Sequence, residues 1–301
     1  MSLLVTGSIG IDTVEAPTGR VDDILGGSAV YFAAAASFFS PVRFVAVAGE
    51  DMPKDFLAPL SRNPRVDLAG LEIRKGSKTF RWAGRYHDDV NVRDTLDTKL
   101  GVLGEAGPSI PQQFRDSRYV FLANTHPALQ SQLLDQLTSP RLVVADTMDL
   151  WIQHHREALN ALMGRIDGLV LNDSEAKLLT GRPNVVTAGL EILRTVKGFV
   201  VIKKGEHGSL LFTDGKVIAL PSYPATKVID PTGAGDSFAG AMMGYIACCD
   251  AIDPRTLRRA MAYGTVTASY ELEDFSLNRL AQISREDIDR RMTEFMEMVT
   301  I

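Results

Sequence analysis

The stretch 230-DPTGAGDSFAG-240 decides how the rest of the chain is read. The extended-looking run KVID leads into it, and the apolar, helix-compatible run FAGAMMGYIACC leads out. Gly233, Ala234 and Gly235 therefore stand where a helix begins. Unpaired amide N–H groups and the positive end of the helix dipole gather there, and small residues let an anion approach the backbone. Working outward, short β-rich runs (LLVTG, RFVAVAG, YVFLAN, LVVAD, GLVLN, FVVIKKG) alternate with longer segments of helical period such as SAVYFAAAASFF. These runs are almost continuously apolar, as strands covered on both faces are. The rhythm predicts a three-layer α/β/α fold, with a mostly parallel central sheet between helices. Several runs close on a polar residue, among them Asp146, Asn172 and Lys203, at the carboxyl ends where open α/β sheets bind ligands.

One region breaks the rhythm. From about residue 66 to 103, DLAGLEIRKG and SKTFRWAGRYHDD read as antiparallel strands joined by a turn at Lys75-Gly76-Ser77. The expectation is a single domain over residues 1–301, carrying a small β lid formed mainly by this insertion. Composition bounds the class: 45% hydrophobic and 23% charged residues describe an ordinary globular chain, and a net charge of -5 disfavours a nucleic-acid partner. MSLLVTGSIGID lacks a basic leader and no later run is long and apolar enough to span a bilayer, so no membrane partner and a cytoplasmic location are expected. Adjacent Cys248 and Cys249 suit a reducing compartment and read as packed thiols on a helix.

Asp236 conflicts with an anion site, because its carboxylate would repel phosphate. The conflict disappears if Asp236 takes the proton from an alcohol attacking a phosphoryl group held at the helix end. Taken alone, GxGD equally describes a tight turn followed by a first-turn helix acid. Competing motifs are absent: there is no GxxxxGK[ST], the glycine spacing does not match a dinucleotide fingerprint, and HRD and DFG elements are missing.

The whole string DPTGAGDSFAG resembles the signature of the ribokinase-like carbohydrate and nucleoside kinases, the phosphofructokinase-B-type sugar kinase family. That resemblance implies a ribokinase-like fold and transfer of the ATP γ-phosphoryl group to a hydroxyl of a sugar or nucleoside. Asp236 would be the base, and the amides from Gly233 through Ala234 to Gly235 the anion hole. Other segments extend it. GSIGID places Asp12 where the family binds sugar hydroxyls. GGSAVYFA resembles the family's Gly-Gly motif, so Gly26 and Gly27 would line the acceptor pocket, with Tyr31 where the family often has asparagine. LNDSEAKLLTG resembles the Asn-x-x-Glu motif, implying that Asn172 and Glu175 organise Mg2+; by itself NDSEAK reads as a helix N-terminus, with Asp173 or Ser174 capping and Glu175 in the first turn. VVIKKGEHGSLLF resembles the nucleotide segment, placing Lys203, Gly205 and Gly208 near ATP, along with Thr232, Gly233 and Gly235. A monovalent cation such as K+ stays open beside Mg2+.

The acceptor could be a free sugar, a sugar phosphate or a nucleoside, and an aromatic Tyr31 would suit stacking on a base. In the lid, Arg81, Arg85, Tyr86 and Asn91 alternate with Phe80 and Trp82; Arg81 is the lid residue placed on the substrate, and Arg93 could join a basic cluster. An apolar lid face would make a homodimer. His154 and His155 lack ligand partners at metal spacing, Asp146 is unassigned, and AYGTVTASY would form a helix wall beside the adenine. A non-catalytic sugar- or nucleotide-binding regulator on the same fold is the alternative.

Overall fold

The computed structural model describes residues 2–213 and 215–300. Its strands are, in chain order, β1 (Leu3–Thr6), β2 (Gly10–Ala16), β3 (Gly19–Gly26), β4 (Val42–Gly49), β5 (Val66–Arg74), β6 (Phe80–Tyr86), β7 (Arg93–Lys99), β8 (Tyr119–Leu122), β9 (Leu142–Asp146), β10 (Gly168–Asn172), β11 (Phe199–Lys203), β12 (Ser209–Thr213) and β13 (Lys216–Leu220). Among the described residues they form a nine-stranded sheet, ordered β13-β12-β11-β10-β9-β8-β1-β4-β5, and a four-stranded sheet, ordered β3-β2-β6-β7. The large sheet is parallel from β11 to β5, and only the β11–β12 and β12–β13 pairings are antiparallel.

Side chains alternate between two cores, because successive strand residues point to opposite faces. Leu3, Val5, Leu142, Val144, Phe199 and Val201 enter one core, which also takes the helices Ser28–Ser37, Ala234–Cys249 and Pro254–Glu271. Leu4, Val143, Ala145, Val200 and Ile202 enter the other, beneath Arg156–Met163, Asp173–Thr180 and Val185–Leu193. Burial on both faces explains why these strands read as unbroken apolar runs.

The boundaries expected for the lid need correcting. Val66–Arg74 does not pair with Phe80–Tyr86 as a hairpin; it is the edge strand of the large sheet, parallel to β4 from Val42↔Val66 to Gly49↔Arg74. The turn at 75–77 instead carries the chain from one sheet to the other. The small sheet takes two of its strands from the N-terminal region, with β2 pairing parallel to β6 and antiparallel to β3. A local reading of alternation cannot see a pairing between residues 10–15 and 80–85. The face of this sheet turned to the main body buries Val14, Ala16 and Tyr86 against Trp82 and Phe275.

A second correction concerns Cys248 and Cys249, which are exposed on the last turn of Ala234–Cys249 rather than packed in a core. Among the described residues, no helix is long and apolar enough to cross a membrane.

The helices Ser28–Ser37 and Ala234–Cys249 cross at backbone contact. A Cβ on Gly240 would collide with the Phe32 carbonyl oxygen, and one on Gly244 would lie 2.7 Å from that of Ala36. Gly240→Ala is therefore expected to lower unfolding free energy by roughly 1–3 kcal/mol through overpacking, read as a lower urea midpoint with an unchanged slope.

Candidate active site

The turn at 230–236 is built from both sides. Gly233 is the N-cap of Ala234–Cys249 with φ 80, a left-handed conformation that costs glycine little. Its carbonyl accepts the Ser237 N–H at 2.8 Å. The Tyr31 ring fills the space where a Gly233 side chain would stand. Upstream, Asp230 Oδ1 accepts the Thr232 N–H at 2.8 Å, and Thr232 Oγ1 lies 3.1 Å from the Tyr86 hydroxyl on β6. The small sheet thus touches the turn directly.

Lys203, at the carboxyl end of β11, reaches this turn: its Nζ lies 2.8 Å from the position of a Cβ on Gly235. Burial acts to lower the pKa of this ammonium, but the neighbouring carboxylates of Asp146, Glu175 and Asp236 outweigh it and leave the pKa raised. The acids respond in kind. Burial, then Asp146, pushes Asp236 up to about 8 despite Lys203 and Arg93 pulling it down, and Glu175 is likewise pushed up to about 8. Burial also raises Asp146, left unassigned by the sequence. Asp146 and Glu175 lie on adjoining elements at the carboxyl ends of β9 and β10, so the parallel sheet alone brings this cluster together.

Asn172 and Glu175 form a capping box. Asn172 Oδ1 accepts the Glu175 N–H at 2.8 Å, and Glu175 Oε2 accepts the Asn172 N–H at 2.7 Å. The helix start expected at NDSEAK is present, but its cap is Asn172 rather than Asp173 or Ser174, and it takes the single side-chain oxygen of Asn172 and one of the two carboxylate oxygens of Glu175. Among the described residues, no three His, Cys, Asp or Glu side chains are grouped as a ready metal site. The donors fit an ion held mainly by phosphate oxygens and water, with few protein ligands, as Mg2+ prefers.

Asp12 on β2 is 4% exposed, and its Oδ1 has no hydrogen-bond partner among the described residues. Burial, reinforced by Asp230, raises it to about 7. A side chain on Gly26 would overlap the Asp12 carboxylate, and Gly27, at φ 108, lies against the Ser8 carbonyl. The Gly-Gly pair thus makes room for Asp12. Nearby, Ser28 Oγ bonds to Ser8 and to the Asn124 carbonyl, tying this corner to the loop after β8.

On the other side of Gly235 opens a cleft of about 590 Å³ lined by Asn172, Lys203, Gly205, Gly208, Ala234, Thr265 and Ala268, among others. Gly205 and Gly208 both have positive φ, and the Asn91 amide from the small sheet lies against Gly205. Thr265 and Ala268 belong to AYGTVTASY, which does form a helical wall of this cleft.

Two expected substrate residues lie elsewhere. Tyr31 is 1% exposed beneath Gly233, so it offers no free face for stacking on a base. Arg81 pairs with Asp23 at 2.6 Å, and the register Asp12↔Trp82 puts it on the sheet face opposite Asp12. The structure brings in Arg93 instead, which acts on Asp236 and sits across from Tyr86 in the β6–β7 register. A further group escaped the sequence reading: Trp151 Nε1 donates to Asn124 Oδ1 at 2.7 Å, and its ring meets His126 and His155 at centroid distances of 5.2 and 5.5 Å. Pro after His126 and a polar His pair were the available signals, but nothing in them joins two loops.

A helix N-terminus, a buried acid and a lysine thus meet at the strand ends of a parallel sheet, an arrangement able to receive an anion. Residues 133–280 match the model of the pfkB family carbohydrate kinases. The cytidine kinase of Thermococcus kodakarensis is 31% identical over 253 residues, which cover 81% of this chain and 88% of that protein. The chain belongs to this family, and it is a sugar or nucleoside kinase. The ribokinase-like fold agrees. The Burkholderia thailandensis nucleoside kinase solved with inosine superposes with a TM-score of 0.80 at 20% identity, covering 98% of this chain and 99% of that one. An Escherichia coli protein solved with ATP and Mg2+ gives 0.77 at 17%, covering 97% and 99%.

Gly233→Ala would press a methyl group into the Tyr31 ring while forbidding the left-handed turn. It is expected to lower kcat by roughly 10²-fold, the scale on which misplaced reacting groups fail. The check is steady-state kinetics alongside a thermal melt.

Proposed function

We propose that the protein is an ATP-dependent, Mg2+-requiring kinase whose acceptor is the ribose hydroxyl of a nucleoside, with Asp236 as general base. The observation that carries this reading is Asp236 itself, buried in the first turn of a helix whose N-terminus Lys203 also reaches. ATP is the co-substrate, seated in the 590 Å³ cleft with its adenine beside Thr265 and Ala268 and its ribose near Gly205 and Gly208. The amides of Gly233, Ala234 and Gly235, with Lys203 and Thr232, stabilise the charge of the terminal phosphates. Asp12 fixes the acceptor hydroxyls beside the Gly26-Gly27 pair. As the acceptor oxygen bonds to the γ-phosphorus and the bond to the β–γ bridging oxygen breaks, the acceptor proton passes to the Asp236 carboxylate. Asn172 and Glu175 would orient Mg2+ and its waters, which supply charge neutralisation on the phosphates.

The Trp151, His126 and His155 rings support a nucleoside over a free sugar. They adjoin the loop that Ser28 ties to the Asp12 corner, and Thr125 Oγ1 within that loop is buried without a partner among the described residues. A planar base has an aromatic partner there and a hydroxyl to bond. The small sheet serves as a lid, since Asn91 and Val90 already border the nucleotide cleft. Exposed Val92, Leu96 and Leu100 along its β7 edge support a homodimer through the lid.

The test is ADP release with Mg2+, with and without KCl, across nucleosides, free sugars and sugar phosphates. Asp236→Asn should lower kcat by roughly 10²–10⁴ with folding intact, and an unchanged kcat removes the assignment. Because a base works deprotonated and Asp236 is raised to about 8, kcat/KM should climb with pH and level off above about 8. A profile flat through that range counts against it. Trp151→Ala should raise the nucleoside KM by on the order of tenfold, the scale of one lost base stack, leaving the KM for ATP alone.

A further inference from the structure

A second cavity, of about 360 Å³, shares Tyr223 with the cleft of about 590 Å³ and lies outside the proposed phosphoryl-transfer site. Its walls bring together Arg279, just before the turn Leu280–Gln282, Gln282 itself, and Arg290 and Arg291 from the helix Arg285–Val299. Three guanidiniums around one small cavity repel one another unless something holds them. Here rings and a carboxylate do so. Arg291 lies over the Tyr270 ring at 3.3 Å from its centroid and over that of Tyr223 at 4.9 Å, and Arg279 lies over Tyr270 at 5.5 Å. Glu273 accepts from both arginines, Oε2 from Arg279 Nε and Oε1 from Arg291 Nη2, each at 2.7 Å. Stacked and bridged in this way, the side chains have already lost much of the freedom that binding a ligand would otherwise cost them.

Formal charge is balanced, since Glu273, Asp287 and Glu294 sit among the three arginines. The hydrogen-bonding groups left over therefore decide what the cavity can hold. The acid oxygens are mostly taken: both of Glu273 by arginine, Asp287 Oδ1 by Arg290 at 3.2 Å and Oδ2 by Ser284, and Glu294 Oε2 by the Tyr223 hydroxyl at 3.1 Å. Donors remain in surplus. Arg279 bonds through Nε alone, Arg290 pairs through one Nη, and the Gln282 side-chain amide has no partner among the described residues. Spare N–H groups on planar guanidiniums match the paired oxygens of a carboxylate or phosphate group.

The same group reaches the larger cleft. Arg291 Nη1 donates to Ser269 Oγ at 2.9 Å, and Ser269 and Tyr223 both line that cleft. Arg291 is thus a partition between two chambers. We propose that the smaller one is an effector site for a small oxyanion, held by Arg279, Arg290 and Gln282, whose occupancy is felt in the larger one through Arg291 and Tyr223. An anion drawing on Arg279 competes with Glu273, the carboxylate that Arg279 shares with Arg291, and so shifts the bond from Arg291 to Ser269. This second half rests on the reading of the larger cleft as the ATP seat.

Titration calorimetry on the full chain, with the larger cleft saturated by Mg-ADP and ionic strength matched, tests the first half. Inorganic phosphate is the probe in one arm and succinate in the other, and the arm that saturates names the source of the oxyanion. A roughly millimolar Kd is expected, weakened about tenfold or more by Arg279→Met and by Arg290→Met, the scale of one lost charge-assisted hydrogen bond. Arg290 is exposed, so its variant decides alone should Arg279→Met not fold. No saturable binding in either arm, or binding that neither substitution weakens, overturns the site. For the second half, a saturating anion should change the KM for ATP about threefold or more in wild type, by the coupling of two sites, and leave it unchanged in Arg290→Met. An unmoved KM in a protein that binds the anion overturns the effector role. Failure of ADP to bind sinks the reading of the larger cleft instead, and the anion titration, then run without ADP, still decides the site.

Discussion

The site depends on how closely two helices approach. Gly240 and Gly244 let Ala234–Cys249 settle onto the backbone of Ser28–Ser37, and that contact fixes the height and direction of the helix end at 233–235. The first turn of one helix begins beside Asp12 and the Gly-Gly pair, and that of the other carries Asp236. A bulkier pair would part these by an ångström or more, and phosphoryl transfer depends on placement at that scale. Tyr31, one turn along the first helix, then closes the gap beneath Gly233.

Electrostatics complete what packing sets up. Lys203 arrives from the sheet, Asp146 and Glu175 from its neighbouring strand ends, Asp236 from the helix, and Arg93 from the small sheet. All of these acids are raised by burial, so the site holds protons that exposed carboxylates would have released. Asp146 raises both Glu175 and Asp236, while Lys203 opposes it at each.

Much of this was legible in the chain. The alternation of apolar runs and helical segments announced a parallel sheet because both of its faces are covered, and DPTGAGDSFAG located the helix end because small residues and an acid occur there for different physical reasons. A helix start at NDSEAK was equally plain from local spacing, but its capping side chain is Asn172, ahead of the Asp173 or Ser174 read from the sequence. What stayed hidden was long-range. The pairing of β2 with β6 joins residues seventy apart, so the lid was drawn around the wrong strand. Tyr31 was read as a surface for a base because sequence shows that a ring is near the Gly-Gly loop but not that the ring lies under Gly233. The aromatic group at Trp151 and the arginine-lined cavity at Arg279 and Arg291 each arise from segments that meet only in three dimensions.

The parallel pairing of β2 with β6 has a consequence for how the molecule breathes. The small sheet owns only a few buried apolar residues, and its outermost strand, β7, is exposed along its whole length. It cannot stand as a separate folding unit and is held by docking on Thr232 and Phe275. Its amides should be among the first in the protein to exchange with solvent. An occupant of the cleft would meet Val90 and Asn91, so the slowing of exchange in this sheet becomes a gauge of how full the cleft is, readable without following the reaction.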